Sequence, residues 1–309
     1  MKEIYVNLKR FDIPKTYGGI CPDEDPVRWI RKIVKDTAEL GLGNRKDVQV
    51  TYFLPESLLV PALEELRSVP EEKRSHFQIG CQGVYREDVA REGNFGAFTV
   101  NRPAAAMKAL GQNWVMIGHS EERKDKLSLL SAYDSVIDQS AEKRRKAEKS
   151  VDEILNQEVR CALERNMNVL FCVGETAEQK GAGPAAEYEP RVQNVLRDQI
   201  CTGLKDIGPW MEDCQIAIGY EPVWAIGPGK TPPDGEYVAF VSRYIKEVCK
   251  EEFHREFSVV YGGGLKEENA AEMAAVSTLD GGLVALTKFT PPIAFDVRSL
   301  KEIIKAYVK

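Results

Sequence analysis

One carboxylate stands directly before a segment that has the composition of a movable lid. Glu221 follows an apolar run over residues 215–220, which predicts a strand with the carboxylate at its carboxyl end. Pro222 then supplies a stiff hinge, and the glycines beyond it allow the chain to bend. A base beside a closing loop is typical of enzymes that shield a reactive intermediate from water. The predicted lid comprises Pro222, Val223, Trp224, Ala225, Ile226, Gly227, Pro228, Gly229, Lys230 and Thr231.

Other polar residues fall at the ends of other predicted strands. Asn7 and Lys9 close the first strand, and their two-residue spacing predicts side chains that point to the same side. His119 follows the fourth strand, and Ser120 is the predicted N-cap of the next helix. The positive end of that helix should disfavour the imidazolium and leave a neutral ring that donates to a carbonyl. The glycines at 262–264 leave room for backbone N–H groups to approach an anion.

The elements that must position these residues repeat along the chain. Short apolar runs alternate with longer amphipathic segments, as expected for strands that are covered by helices on one side and by side chains on the other. The pattern predicts a closed (β/α)8 barrel in one domain, with an open doubly wound sheet as the alternative. Insertions are expected near 11–26, 124–156 and 177–190. The eight runs are 4–8, 48–54, 77–82, 114–118, 168–173, 215–220, 257–261 and 282–286.

Composition narrows the possible classes of protein. The 309 residues are 43% hydrophobic with a net charge of -6, which suffices for a large core and gives no basic footprint for nucleic acid. The basic run 143–146 lies among acidic residues and is interpreted as a solvated helix face. The seven cysteines lack C-x-x-C spacing, which disfavours a disulfide framework or a zinc site. We therefore expect a cytoplasmic protein that binds no metal, nucleic acid or membrane.

The motifs, taken in order, resemble the triosephosphate isomerase family over nearly the whole chain. The resemblance implies Glu221 as the base, neutral His119 as the electrophile, Lys9 as the anion-attracting cation and Asn7 as a hydrogen-bond donor to a substrate oxygen. This division between glutamate and neutral histidine is the known one in that family. No cofactor is implied, and the pathways implied are glycolysis and gluconeogenesis. The matching segments are Asn7-Leu8-Lys9, 96–99, 118–121, 172–176, 220–231 and 261–263.

The same resemblance assigns further residues. Glu121, Ser120 and Cys172 would support the catalytic groups. A homodimer is expected, in which Thr99 on the dimer loop reaches toward a neighbour's Asn7 and Lys9. The residues expected to bind the substrate phosphate are Gly227, Gly263, Gly264, Ala285 and Leu286.

The chain departs from the family at the end that grips the phosphate. Ala285 and Leu286 stand where the family has a Gly-Gly pair at the start of a short helix, and each adds a side chain near the anion. Gly264 replaces a serine, and Pro232 replaces an alanine whose N–H helps to close the lid. Three functions therefore stay open: isomerisation of a triose phosphate, the same enediol chemistry on another small sugar such as a tetrulose phosphate, and binding of a metabolite without catalysis.

Overall fold

The chain folds into a closed barrel of parallel strands with helices around it. The computed structural model describes residues 1–90, 92–227, 229–288 and 293–308. Each strand pairs in parallel with the next, and β8 closes the barrel against β1. The (β/α)8 fold predicted from the sequence, the TIM barrel, is confirmed, and the open sheet is wrong. The strands are Lys2–Asn7 (β1), Val48–Leu54 (β2), Phe77–Cys81 (β3), Trp114–Ile117 (β4), Asn168–Val173 (β5), Ile216–Tyr220 (β6), Ser258–Tyr261 (β7) and Gly281–Val284 (β8).

Most of the helices bury one face against the outside of the barrel. In the first one, the side chain of Asp25 accepts hydrogen bonds from the N–H groups of Val27 and Arg28, and Pro26 occupies the first turn. Apolar residues at helical spacing then turn one face toward the strands. The helices are Pro26–Glu39 (α1), Glu56–Ser68 (α2), Glu71–Arg74 (α3), Ala104–Ala109 (α4), Ser120–Tyr133 (α5), Ala141–Glu164 (α6), Ala177–Lys180 (α7), Ala185–Gly203 (α8), Gly235–Phe253 (α9), Glu267–Ala275 (α10) and Val297–Tyr307 (α11).

The interior of the barrel is filled by side chains. Because the strands alternate, one set of side chains points inward and a second, larger set packs between strands and helices. Any site must therefore lie at the mouth of the barrel and not in a central channel. The inward set comprises Tyr5, Phe53, Trp114, Met116, Leu170, Cys172, Ala217, Val260 and Leu283.

The three segments expected to be insertions differ in secondary structure. Segment 11–26 contains the 3₁₀ turn Lys15–Tyr17 and a short bridge between Pro14 and Cys21. Segment 124–156 continues α5, turns through Ser135–Gln139 and begins α6, while segment 177–190 holds α7 and the start of α8. The basic run 143–146 lies on α6, where Lys143, Arg144 and Arg145 form surface ion pairs. No helix in the described ranges combines the length and apolar character needed to cross a bilayer.

Candidate active site

His119 lies at the carboxyl end of β4 and begins the next helix. The prediction that Ser120 is the N-cap is wrong, since His119 occupies that position and Ser120 is the first residue of α5. The Nδ1 atom of His119 accepts a hydrogen bond from the Glu121 N–H at 3.2 Å. An imidazolium has a proton on both nitrogens and could not accept this bond. The bond therefore requires a neutral ring whose proton is on Nε2.

Glu221 follows β6 and faces His119 directly. Its Oε1 atom is 3.2 Å from Nε2 of His119, and its Oε2 atom accepts the Ser120 N–H at 3.1 Å. The side chain is almost fully buried, so both contacts occur away from bulk water. The free N–H groups at the start of α5 stabilise the carboxylate. A Cβ atom on Gly174 would lie 1.8 Å from the Glu221 carbonyl oxygen, so glycine is required where the chain after β5 passes Glu221.

Asn7 and Lys9 meet at the end of β1, although the strand does not extend to Lys9. Lys9 has φ of 32°, so it lies in a turn, and the two-residue strand spacing used to align these side chains is wrong. The Asn7 Oδ1 atom instead accepts the Lys9 N–H at 2.9 Å. The Lys9 ammonium lies 3.0 Å from Oε1 of Glu121, in the first turn of α5. Burial raises the pKa of Glu121, but the charge and hydrogen bond of Lys9, together with the nearby His119 and Lys124, outweigh burial and leave this pKa below its usual value.

Gln82 holds these two residues and was not identified from the sequence. Its amide nitrogen lies 3.0 Å from Oδ1 of Asn7 and 3.0 Å from the carbonyl oxygen of Lys9. The available signal was its place at the end of the run 77–82, where a polar residue follows a buried strand. The amide thus joins the end of β3 to the turn that carries the lysine.

Arg123 connects the ends of β4 and β5 by hydrogen bonds. Its guanidinium donates to the carbonyl oxygens of Gly118 at 2.8 Å and Cys172 at 2.9 Å, and it also pairs with Asp152. Cys172 itself is buried inside the barrel, where burial and the nearby Glu221 charge raise the pKa of its thiol well above the usual value. The thiol is therefore protonated at neutral pH and supports the site by packing.

The base of the lid is anchored by Glu175, a second residue without a role in the sequence prediction. This carboxylate is fully buried, and its Oε1 atom accepts the Trp224 indole N–H at 2.6 Å and the hydroxyl of Tyr237 at 2.7 Å. The hydroxyl of Tyr220 donates to the same oxygen at 3.0 Å. Burial raises the pKa of Glu175, while these donors oppose the rise. The sequence feature that could have identified Glu175 is its position two residues after β5, where barrel enzymes place functional residues.

The tip of the lid is exposed. Residues Val223–Ala225 form a 3₁₀ turn, and Gly227, Gly229 and Lys230 beyond it are exposed. Gly227 has φ of 118°, which favours glycine, and its surroundings are open. Pro228 lies outside the described residues.

The end of the site formed by β7 and β8 differs from the sequence expectation in one respect. β8 ends at Val284, so Ala285 and Leu286 lie beyond the strand predicted over 282–286. The next two N–H groups, of Thr287 and Lys288, both donate to the carbonyl oxygen of Ala294, at 3.1 and 3.0 Å. These residues form a short antiparallel bridge and no helical turn. The N–H groups of Thr287 and Lys288 are therefore bonded within the protein and do not point to an anion.

Donors do remain at this end. Within the described residues, the N–H groups of Ala285 and Leu286 make no hydrogen bond, and Leu286 is half-buried against the outer core. Gly263 fits closely, because a Cβ atom there would lie 2.4 Å from the Tyr261 hydroxyl oxygen. Gly264 has φ of 86°, which a serine would adopt only with strain.

Comparison with known proteins accounts for this arrangement. A family model described as triosephosphate isomerase matches residues 32–305. The chain belongs to the triosephosphate isomerase family. Membership implies isomerase chemistry on a small sugar phosphate.

Related members resemble the chain over most of its length. It is 34% identical to a triosephosphate isomerase of Chloroherpeton thalassium over 214 residues, which are 68% of this chain and 70% of the relative. It is 30% identical to a triosephosphate isomerase of Alkaliphilus metalliredigens over 264 residues, 84% of this chain and 87% of the relative. The crystal structure of triosephosphate isomerase from Bartonella henselae superposes with a TM-score of 0.65 at 22% identity, covering 100% of this chain and 99% of the other. That likeness establishes the shared fold.

Compared with the triosephosphate isomerase pattern, the surroundings of the dimer loop are altered. Thr99 lies exposed on this loop, together with Phe95 and Val100, which are 87% and 90% exposed. Glu122, where the family has an arginine, turns inward, accepts the Gly118 N–H at 2.7 Å and pairs with Lys126.

The described ranges contain no group of three His, Cys, Asp or Glu side chains arranged to hold a metal ion.

Proposed function

We propose that the protein interconverts glyceraldehyde 3-phosphate and dihydroxyacetone phosphate through an enediol. Glu221 is the base, His119 is the neutral electrophile, Lys9 attracts the phosphate and Asn7 contacts a substrate oxygen. The observation that carries the proposal is the bond from the Glu121 N–H to Nδ1 of His119. Because Nδ1 accepts this bond, the ring proton is on Nε2, which faces Glu221. A substrate carbonyl placed between the two side chains could accept that proton as a hydrogen bond, which is what polarisation of a carbonyl requires.

The carboxylate must move before it acts. Glu221 now lies against both His119 and the Ser120 N–H, so a substrate carbonyl oxygen has to displace it from Nε2. The freed carboxylate then removes a proton from the carbon beside the carbonyl, and the electron pair shifts to the oxygen to give the enediolate. His119 donates its Nε2 proton to that oxygen and takes one from the neighbouring hydroxyl. Protonated Glu221 returns its proton to the other carbon, which completes the exchange.

The lid protects this intermediate. An enediol phosphate loses phosphate in water, so a loop that closes over the site prevents a side reaction and strengthens the electrostatic interactions inside. Gly227 can present its N–H to the phosphate once the tip has swung inward. The N–H groups of Ala285 and Leu286, which bond to none of the described residues, would complete the anion site together with Gly263 and Gly264.

Turnover of glyceraldehyde 3-phosphate by the wild type and by Glu221→Asp tests the proposal. Shortening the side chain retracts the carboxylate by about 1 Å, and such a misplacement costs about 10²-fold in rate. We expect brisk wild-type turnover and a loss of that size in kcat, with little change in KM. Glu178→Asp, an exposed substitution on α7, is the matched control and should retain full activity. Equal activity of wild type and Glu221→Asp would refute the role of the base.

The altered β8 end favours a second candidate, the same chemistry on a different small sugar or sugar phosphate. The N–H groups of Thr287 and Lys288 are bonded to the carbonyl oxygen of Ala294, and Leu286 has a side chain where the family has glycine. Activity on a tetrulose phosphate or a free sugar that depends on Glu221, without activity on trioses, would favour this candidate. If no aldose or ketose reacts and 2-phosphoglycolate, a mimic of the enediolate, does not bind, both enzymatic proposals fail.

We also propose a cytoplasmic homodimer that acts in glycolysis and gluconeogenesis. The support for the dimer is the exposed apolar surface of the dimer loop, where Phe95 and Val100 face solvent beside Thr99. Light scattering should give twice the chain mass for the wild type. Val100→Asp should give the monomer, because a charge in an apolar interface lacks a partner.

A further inference from the structure

Gly118 joins β4 to the histidine of the site, and two side chains of the next helix bind its peptide groups. Its N–H donates to Oε2 of Glu122 at 2.7 Å, and its carbonyl oxygen accepts a hydrogen bond from Nε of Arg123 at 2.8 Å. Glu122 and Arg123 both lie in the first turn of α5, which begins directly after His119. The residue before His119 is therefore tied to the helix that follows it.

These two bonds matter because Gly118 does not fix its own conformation. It has φ of 82°, and glycine adopts positive and negative φ about equally readily. No other residue fits there, since a Cβ atom on Gly118 would lie 2.8 Å from the carbonyl oxygen of Cys172. The direction in which the chain leaves β4, and with it the place of His119, thus depends on the bonds to the peptide groups of Gly118.

Glu122 is held in turn from the neighbouring helix. The Nζ atom of Lys126 lies 2.7 Å from Oε1 of Glu122 and 3.0 Å from Oε1 of Glu158, a buried residue of α6. Each oxygen of Glu122 therefore has its own partner, Lys126 for Oε1 and Gly118 for Oε2. The two contacts together fix the orientation of the carboxylate.

We propose that Glu122 is a positioning residue that orients His119 by accepting the N–H of Gly118. The proposal rests on the proposed function only in giving His119 a role in the reaction. The family's arginine at this position has five donors and no acceptor, so it could not make this contact. Without the acceptor the Gly118 peptide can turn, and the ring should leave the place where Nδ1 accepts the Glu121 N–H and Nε2 faces Glu221.

The test compares Glu122→Leu, which keeps a side chain of similar size and removes the acceptor, with the wild type. A misplacement of about 1 Å costs about 10²-fold in rate, so a partial displacement of the ring should lower kcat about tenfold. KM for glyceraldehyde 3-phosphate should change by less than about twofold, because the residues expected to bind the phosphate are untouched. Glu122→Gln keeps an oxygen that can accept the Gly118 N–H and should stay within about threefold of the wild type. The control is Glu65→Leu on α2, since both glutamate side chains are 22% exposed and pair with a cation.

A second measurement follows the ring itself and needs no substrate. The chain has three histidines, so ring ¹⁵N spectra contain few resonances, and His119→Gln assigns those of His119. In the wild type, Nδ1 of His119 should appear as an unprotonated acceptor and Nε2 as the protonated nitrogen. In Glu122→Leu we expect the Nδ1 resonance to shift toward that of free neutral imidazole, while those of His76 and His254 stay in place. Glu122→Gln should restore the wild-type position.

These readouts distinguish positioning from a general loss of stability. Unchanged ¹⁵N resonances of His119 in Glu122→Leu, or a shift no larger than that in Glu65→Leu, overturn the proposal. Equal losses of activity in Glu122→Leu and Glu122→Gln would show that the charge is needed and not the acceptor, which also overturns it. Failure of the proposed function would appear differently, as a wild type that isomerises no sugar, and the ¹⁵N comparison would still decide whether Glu122 orients the ring.

Discussion

Replacement of Glu175 by leucine should reveal how firmly the lid is anchored. In the wild type, one carboxylate oxygen accepts bonds from Trp224, Tyr237 and Tyr220 within 3.0 Å. Leucine of similar size accepts none of them. Tyr220 and Tyr237 are buried and cannot turn to water, whereas the half-buried Trp224 can.

The cost follows from the two stranded hydroxyl groups. An unsatisfied buried donor costs about 1–3 kcal/mol, so two of them would cost about 2–6 kcal/mol. Burial raises the pKa of Glu175, which means that its charge is itself unfavourable there, and removal of the charge offsets part of the loss. We therefore expect the free energy of unfolding of Glu175→Leu to fall by about 2–4 kcal/mol at neutral pH.

Chemical denaturation followed by circular dichroism measures this change, and Glu175→Gln is the matched control. An amide oxygen placed where Oε1 lies keeps all three donors, and its NH₂ group faces only a hydroxyl that can rotate to accept. The glutamine variant should thus stay within about 1 kcal/mol of the wild type. A leucine variant within about 0.5 kcal/mol of wild type, the range of ordinary surface changes, would refute the reasoning.

Three further predictions concern the rest of the site. Gln82→Leu removes the amide that holds Lys9, so kcat/KM should fall about tenfold, mainly through KM, in steady-state kinetics. Burial and a neighbouring carboxylate raise the pKa of Glu158, so wild-type stability should fall as pH rises above about 4.5, because the unfolded chain then releases a proton that the folded protein keeps. Glu158→Gln should show a smaller fall than the wild type in denaturation at pH 5, 7 and 9. The double change Ala285→Gly with Leu286→Gly should lower KM for glyceraldehyde 3-phosphate about 2- to 10-fold, and an unchanged KM would mean that the side chains do not obstruct the anion.

The strands were predictable because each is buried on both sides and therefore forms a continuous apolar run. β2 and β5 match their predicted bounds, four strands differ by one residue at one end, and β1 and β8 differ by one or two residues at both ends. The errors arise where a local conformation ends the strand, as at Lys9 with its positive φ. The N-cap of α5 was misplaced because a histidine Nδ1 can accept the capping bond as well as a serine hydroxyl. Pattern alone does not distinguish the two.

The sequence by itself determined the barrel, the family and the strand ends that carry Glu221 and His119, since these depend on runs of neighbouring residues. Tertiary structure alone decided that Nδ1 of His119 is an acceptor, that Gln82 reaches Lys9 and that Glu175 anchors the lid. It also decided that Lys288, after β8, forms a bridge with Ala294. These features depend on hydrogen bonds, and a local sequence pattern encodes neither their geometry nor their distant partners. Gln82 and Lys9, for example, are 73 positions apart.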